Sequence, residues 1–128
     1  MEHYFIGMVK EIYDDKIIFE CNNYGYFLEG VNLQTLPLHK MLKIYVYCYQ
    51  KLTYRQYYGF VSQEMKMFFT NLIKVPNVGP HIALKLLKQI SLAKIKYAII
   101  NHDGNILQEC QAVTIKIANN IINYFSKR

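Results

Sequence analysis

The residues best suited to hold a ligand lie in the stretch 72–87, where a short turn separates two apolar segments of helical periodicity. Within this turn, Asn77 and Gly79 are residue types that tolerate positive φ, and Pro80 suits the first position of a helix. A turn of this kind directs backbone N–H groups outward at a helix N-terminus, which favours an anion. Because lysines lie on both sides of it, we expect the anion to be a nucleic-acid phosphate.

The turn resembles the helix-hairpin-helix motif of DNA-binding proteins that do not read base sequence, although an ordinary corner between two packed helices explains the same pattern. A weaker copy follows, because Ala118 takes the place of Ala83 when the second helical pair is laid on the first. Ala112 and Thr114 then replace the two turn residues that tolerate positive φ, so we expect this second hairpin to be degenerate. Thr114 could still cap the last helix.

The first half of the chain has the residue pattern of a small β-barrel. Short segments rich in Tyr, Phe, Ile and Val alternate with turn signals, and they predict strands over 4–9, 16–21, 24–31, 43–50 and 57–61. Asp14-Asp15 and Asn22-Asn23 have the chemistry of hairpin turns. Five strands in about 60 residues favour an OB-fold, with another five-stranded meander or an SH3-like barrel as the alternative.

Helical periodicity begins at Ser62, which is a natural N-cap. We expect a first helix from Ser62, a second over 82–90, a third capped by Ser91 and broken at Asp103-Gly104, and a last helix over 113–125. The predicted fold is therefore α+β, with an OB-fold barrel over 1–61 followed by an all-α domain of two helix-hairpin-helix motifs over 62–128.

Composition narrows the class of protein. The chain has 128 residues, a formal net charge of +6 and a pI near 9.2, which suit a polyanionic partner. Its three cysteines are odd in number and far apart, which favours a reducing compartment, and we expect Cys21 and Cys48 to be buried thiols. No signal peptide, membrane span, metal-ligand spacing or catalytic triad is recognisable in it, so we expect a cytoplasmic protein without catalysis, cofactor or metal.

Four segments together resemble the RuvA family of Holliday junction branch migration subunits. Phe5-Ile6-Gly7-Met8-Val9 is similar to the family's first strand, Tyr24-Gly25-Tyr26 to its next turn and strand, and Tyr58-Gly59-Phe60 to its domain junction. The stretch 72–87 is similar to its first helix-hairpin-helix. The order and spacing of all four hold over nearly the whole chain.

The resemblance implies a homotetramer that clamps an open four-way DNA junction by its shape and its phosphates, with the barrel at the junction centre. It also implies an accessory role in recombination and DNA repair, in which a RuvB-like ATPase drives branch migration and a RuvC-like resolvase follows. Whether two tetramers pair into an octamer stays open. The implied location is the bacterial cytoplasm, at the nucleoid, without membrane contact.

Residues expected to contact DNA fall on both hairpins and their flanks. Backbone N–H groups of the first hairpin would bind phosphate, His81 stands where the family has lysine, and Lys116 matches a lysine of the second hairpin. The full expected set is Asn77, Val78, Gly79, His81, Lys74, Lys85, Thr114 and Lys116.

Two departures from the family pattern matter. The family carries a pair of acids, the acidic pin, before the domain junction, but Leu52 and Thr53 occupy that position in a stretch that holds only basic charges. We therefore expect tight junction binding with less constraint on strand separation. The family's C-terminal domain, which docks on RuvB, has no counterpart in the sequence, and this is consistent either with a shortened chain or with a protein that works without the contact.

Two other functions remain open at this stage. One is an OB-fold protein that binds single-stranded DNA, for which the alternating Tyr45, Tyr47 and Tyr49 could supply a stacking face. The other is a degenerate scaffold that keeps the fold and has reduced junction recognition.

Overall fold

The structure is a computed structural model, and it describes residues 3–127. The chain divides into two compact units, Met1–Lys66 and Met67–Arg128. The division falls within a helix, a few residues after the predicted boundary between 61 and 62. Each unit is built around its own set of buried side chains.

The first unit contains a closed five-stranded barrel. Its strands are β1 (Tyr4–Ile12), β2 (Ile17–Cys21), β3 (Tyr24–Gly30), β4 (Leu42–Gln50) and β5 (Arg55–Phe60). They are hydrogen-bonded in the order β1-β2-β3-β5-β4, and closure comes from the pairing of β1 with β4. The β3–β5 pair is parallel and every other pair is antiparallel. This arrangement is the predicted OB-fold, and the parallel pair distinguishes it from a simple meander.

The turns of the barrel follow from their residue types. Asn22 and Asn23 have φ of 53° and 68°, the left-handed conformation that a two-residue hairpin requires and that Asn tolerates. The predicted irregular connection before β4 holds a single 3-10 turn at Leu33–Thr35. The strand ends differ from the prediction: β1 continues to Ile12, and β5 begins at Arg55. The reason is that the ladder hydrogen bonds extend beyond the apolar residues.

Alternating side chains of the strands fill the barrel, and β5 contributes Tyr57, which is partly buried against the cluster. Val9, Phe19 and Ile44 are fully buried there, in a cluster that also includes Ile17, Leu28, Leu33 and Val46. Aromatic side chains at one end of this cluster are only partly buried. Cys21 and Cys48 are likewise only half-buried, contrary to expectation, because they lie near strand ends; the fully buried cysteine is Cys110.

Within residues 3–127, five helices follow the barrel: α1 (Gln63–Leu72), α2 (Pro80–Gln89), α3 (Leu92–Ile100), α4 (Gly104–Leu107) and α5 (Ile115–Ser126). Ser91 caps α3 through Lys94 N–H, and Asp103 caps α4 through Asn105 N–H. Asp103-Gly104 therefore starts a one-turn helix as well as ending α3. The helix α2 begins at Pro80, earlier than predicted, because proline is accepted at the first helical position. No helix among the described residues is long and apolar enough to cross a membrane.

Candidate nucleic-acid interface

The turn between α1 and α2 is held by its own backbone. Lys74 N–H donates to the carbonyl of Asn71 at 3.1 Å, and Val78 N–H donates to the carbonyl of Val75 at 3.0 Å. Asn77 has φ of 68°, as its type predicts. Gly79, in contrast, is extended with φ of −95°, so the tolerance of glycine for positive φ is not used there.

The missing side chain of Gly79 matters for space and not for conformation. A Cβ added there would meet nothing within 4 Å, so this side of the turn is open. Gly79 is the N-cap of α2 and offers no side chain to the first helical N–H groups. The N–H groups of His81 and Ile82 have no acceptor within the helix, because the first N–H groups of a helix have no carbonyl four residues before them inside it. The result is an uncapped helix N-terminus with free space in front of it, which suits a phosphate oxygen.

A second turn between α4 and α5 repeats this backbone. Val113 N–H donates to the carbonyl of Cys110 at 2.9 Å, as Val78 does to Val75, and Ala118 N–H donates to Thr114, as Ala83 does to Gly79. The buried side chains correspond as well. The matched pairs are Val75 and Cys110, Val78 and Val113, Ala83 and Ala118, Leu86 and Ile121, and Leu87 and Ile122. The two turns therefore correspond in these hydrogen bonds and in these buried positions.

The two turns differ on their surface. Ala112, which matches Asn77, is not in the left-handed region. Thr114, which matches Gly79, accepts a hydrogen bond from Ile117 N–H at 3.2 Å and so caps α5 with its own hydroxyl. This cap uses a donor that the first turn leaves open. The second turn therefore has less capacity for an anion.

Charge separates the turns further. Glu109 lies where the first turn has Lys74, and it forms an ion pair of 2.8 Å with Lys94. The side chains of Glu109 and Lys94 are both half exposed, so solvent screens the ion pair. Lys116 lies where the first turn has His81, and both are exposed.

Asn120 connects the two halves of the repeat, although no sequence pattern marks it as a site residue. Its Nδ2 donates to the carbonyl of Pro76 at 3.0 Å and lies 3.4 Å from Oδ1 of Asn77. A polar residue on α5 thereby holds the first turn in place. Nothing in the local sequence signals this, because the partners are far apart along the chain.

The expected DNA-binding residues are only partly brought together. Asn77, Gly79, His81 and Lys74 surround the first turn, whereas Val78 is buried and its N–H is taken by Val75. The expected phosphate contact from Val78 is therefore not available. The remaining exposed residues of the set are Lys85 on α2 and Thr114 and Lys116 at the start of α5.

The position expected to match the acidic pin lies at an exposed hairpin tip between β4 and β5. Lys51 N–H donates to the carbonyl of Tyr54 at 2.9 Å and closes the tip, and Leu52 is fully exposed. Arg55 donates to the hydroxyl of Tyr57 at 3.5 Å, and this hydrogen bond raises the pKa of the guanidinium above its ordinary value. The tip is cationic and apolar, without an acid.

No group of three or more His, Cys, Asp or Glu side chains within residues 3–127 is placed to hold a metal ion. The expected Tyr45, Tyr47 and Tyr49 lie on the side of β4 away from the barrel core and are half-buried. Lys43 Nζ lies 5.2 Å from the ring centroid of Tyr45.

The chain is therefore of the class that joins an OB-fold barrel to helices with a repeated turn, and the first of its turns leaves a helix N-terminus uncapped. No family model matches it. Curated relatives match most of it, and each is named Holliday junction branch migration complex subunit RuvA.

The relative from Azobacteroides pseudotrichonymphae is 32% identical over 119 residues, which cover 91% of this chain and 60% of the relative. The relative from Rickettsia bellii is 31% identical over 124 residues, covering 95% and 61%. The relative from Finegoldia magna is 30% identical over 124 residues, covering 95% and 63%. The chain belongs to the RuvA family, and it spans about 60% of the length of these relatives.

Proposed function

We propose that the protein is a Holliday junction-binding subunit that supports branch migration. The observation that carries the proposal is the open N-terminus of α2 behind Gly79, with Lys74 and His81 beside it. Such a site binds phosphate without reading bases, and so it suits a ligand recognised by shape. We infer a four-way junction as the DNA because the relatives are named as Holliday junction subunits.

The two turns are, in this proposal, a pair of helix-hairpin-helix motifs, of which the first makes the stronger phosphate contact. The helical part, 62–128, grips one arm of the junction, and the barrel, 1–61, forms the oligomer and the junction centre. A single hairpin binds weakly, but four on a closed ring multiply their effect through effective concentration. A homotetramer is therefore part of the proposal.

The proposed role is accessory and without chemistry of its own. A RuvB-like ATPase would drive migration, and a RuvC-like resolvase would act on the product, in the bacterial cytoplasm at the nucleoid. At the junction centre, Lys51 and Arg55 would attract phosphates where an acidic pin would repel them. We expect this exchange to strengthen binding and to constrain the separating strands less.

A gel-shift titration tests the proposal with a synthetic four-way junction, a linear duplex of the same sequence and a single strand, at two salt concentrations. Discrete complexes with a preference of at least tenfold for the junction are expected, together with a steep loss of affinity as salt rises. Equal and weak binding to all three DNAs would contradict the proposal. That result would favour the degenerate scaffold, to which the capped second turn and the missing acids also point.

A further inference from the structure

One end of the barrel contains a small aromatic cavity that the proposed phosphate contacts do not use. Its volume is about 210 Å³. Its described lining consists of His3, Phe5, Tyr26, Val46, Cys48 and Tyr57. Pockets for drug-sized ligands are larger, roughly 300–1,000 Å³, so this one suits a single planar ring system.

Three aromatic rings in the cavity face one another. The ring centroids of Phe5 and Tyr26 are 4.6 Å apart, and those of Tyr26 and Tyr57 are 5.2 Å apart, nearly perpendicular. All three side chains are partly buried against the barrel core, which restricts their motion. Restrained rings that are only partly buried form a platform on which a nucleobase can stack.

Arg55 places a positive charge beside the cavity, toward the exposed hairpin tip. Tyr57 pairs with Cys48, and Arg55 pairs with Gln50, so Arg55 and Tyr57 project to the same side of β5. The Nη1 of Arg55 is 3.5 Å from the hydroxyl of Tyr57. Lys51, at the start of the tip, follows the residue that pairs with Arg55. Arg55 therefore lies beside Tyr57 on the cavity side of β5, whereas Lys51 Nζ lies 5.7 Å from the ring centroid of Tyr49, on the outer side of β4.

We propose that this cavity accepts one unstacked nucleobase from a DNA strand, while Arg55 contacts the phosphate beside it. Aromatic rings beside cations form the usual surface for single-stranded DNA, and OB-folds bind oligonucleotides near their β4–β5 loop. This inference rests on the proposed function, because a junction held open is what would present an unpaired base at the hairpin tip. The site differs from the tyrosines on the outer side of β4.

A variant that removes stacking tests the site. Tyr57→Leu keeps an apolar side chain in the cavity and loses the ring, and Tyr97→Leu makes the same change at an exposed position on α3. Affinity for a labelled 12-nucleotide oligothymidine, measured by fluorescence anisotropy at low salt, is expected to fall about tenfold for Tyr57→Leu. Tyr97→Leu is expected to bind like the wild type. Equal affinities for all three proteins would overturn the proposal.

The exposed Arg55 provides a second test, which a folding defect at Tyr57 cannot obscure. Arg55→Gln is expected to lower affinity about threefold and to reduce the slope of log affinity against log salt by about 0.7 for a single strand. An unchanged salt slope would contradict the role of Arg55.

Photocrosslinking locates the base within a junction. With 5-iodouracil at the crossover of a four-way junction, we expect crosslinks to Tyr57, Tyr26 or Phe5, identified by mass spectrometry. Crosslinks only outside the cavity, with the junction still bound tightly, would refute this inference and leave the proposed function intact. Failure to prefer the junction, with oligothymidine binding still dependent on Tyr57, would refute the proposed function instead. A loss of oligomeric mass in Tyr57→Leu, measured by light scattering, would show that a side chain of a second copy fills the cavity and would overturn the proposal.

Discussion

The two turns of the helical unit share a backbone and differ on their surface. Both close through the same hydrogen bonds, and matched side chains bury the same positions. At the surface, the first turn has Asn77 in the left-handed region and a bare N-cap at Gly79, whereas the second has Ala112 and a hydroxyl cap from Thr114. The same backbone can thus leave a helix end uncapped in one copy and capped in the other.

A side-chain cap and a bound anion would use the same backbone N–H groups in the first turn of a helix. At Thr114 the hydroxyl accepts from Ile117 N–H and stabilises α5 by about 1 kcal/mol. At Gly79 this stabilisation is missing, and the equivalent donor stays available to a ligand. A helix end that gives up its own cap is therefore the better candidate for binding.

The largest expected difference comes from placing the same carboxylate at both N-caps. Gly79→Asp puts a negative charge and a capping oxygen on the open donors, and we expect junction affinity to fall about 100-fold in a gel shift. Thr114→Asp keeps a cap where one already exists, and we expect a loss of less than about threefold. The fold should survive both changes, because Asp is a good N-cap and Gly79 has free space around its Cα. Equal losses would mean that both turns bind phosphate to the same extent.

The next effect concerns the left-handed residue of the first turn. Asn77→Ala should lower the free energy of unfolding by about 1–2 kcal/mol, because Ala at φ of 68° is strained. Asn77→Gly should recover most of that loss. Ala112→Gly, at the matched position without positive φ, should instead destabilise by about 0.5 kcal/mol. Urea titrations followed by circular dichroism measure all three, and an improvement from Ala112→Gly would show that the second turn is strained as well.

A smaller effect is expected from the Asn120 side chain that is hydrogen-bonded to the first turn. Asn120→Ala removes the hydrogen bond to the carbonyl of Pro76, and we expect a loss of about 1 kcal/mol in unfolding free energy. Lys85→Ala, at the matched position on α2, changes an exposed side chain and should stay within about 0.5 kcal/mol. If Asn120→Ala were as neutral as Lys85→Ala, the hydrogen bond to Pro76 would contribute nothing net.

The smallest effect comes from making the second turn more like the first. Glu109→Lys breaks an exposed ion pair with Lys94, so we expect a stability change below about 0.5 kcal/mol. Junction affinity should rise about threefold, with a steeper salt dependence, because a positive charge then faces the phosphates. Glu109→Gln separates the loss of the negative charge from the gain of the positive one. An unchanged affinity in both variants would place the second turn away from the DNA.

Much of the fold could be predicted because its signals are local. Alternating apolar residues marked the strands, Asn22-Asn23 marked a hairpin, and Ser91 and Thr114 marked helix starts. The strand ends and α4 were harder, since ladder bonds and a one-turn helix depend on neighbours that lie elsewhere in the chain. At the candidate site, the sequence singled out Gly79 because glycine tolerates positive φ, and the structure does not use that property. Its conformation is ordinary, and only the space around it distinguishes it.

The sequence by itself determined the order of the elements, the basic charge, the repeated hairpin pattern and membership of the family, because each depends on residue types and spacings along the chain. Only the tertiary structure decided that the N–H of Val78 is already bonded, that Asn120 holds the first turn, and that Phe5, Tyr26 and Tyr57 share one cavity. The physical reason is that hydrogen bonds and ring packing join residues from distant strands and helices. Which donors remain free for a ligand is therefore settled by the folded chain and not by any segment of it.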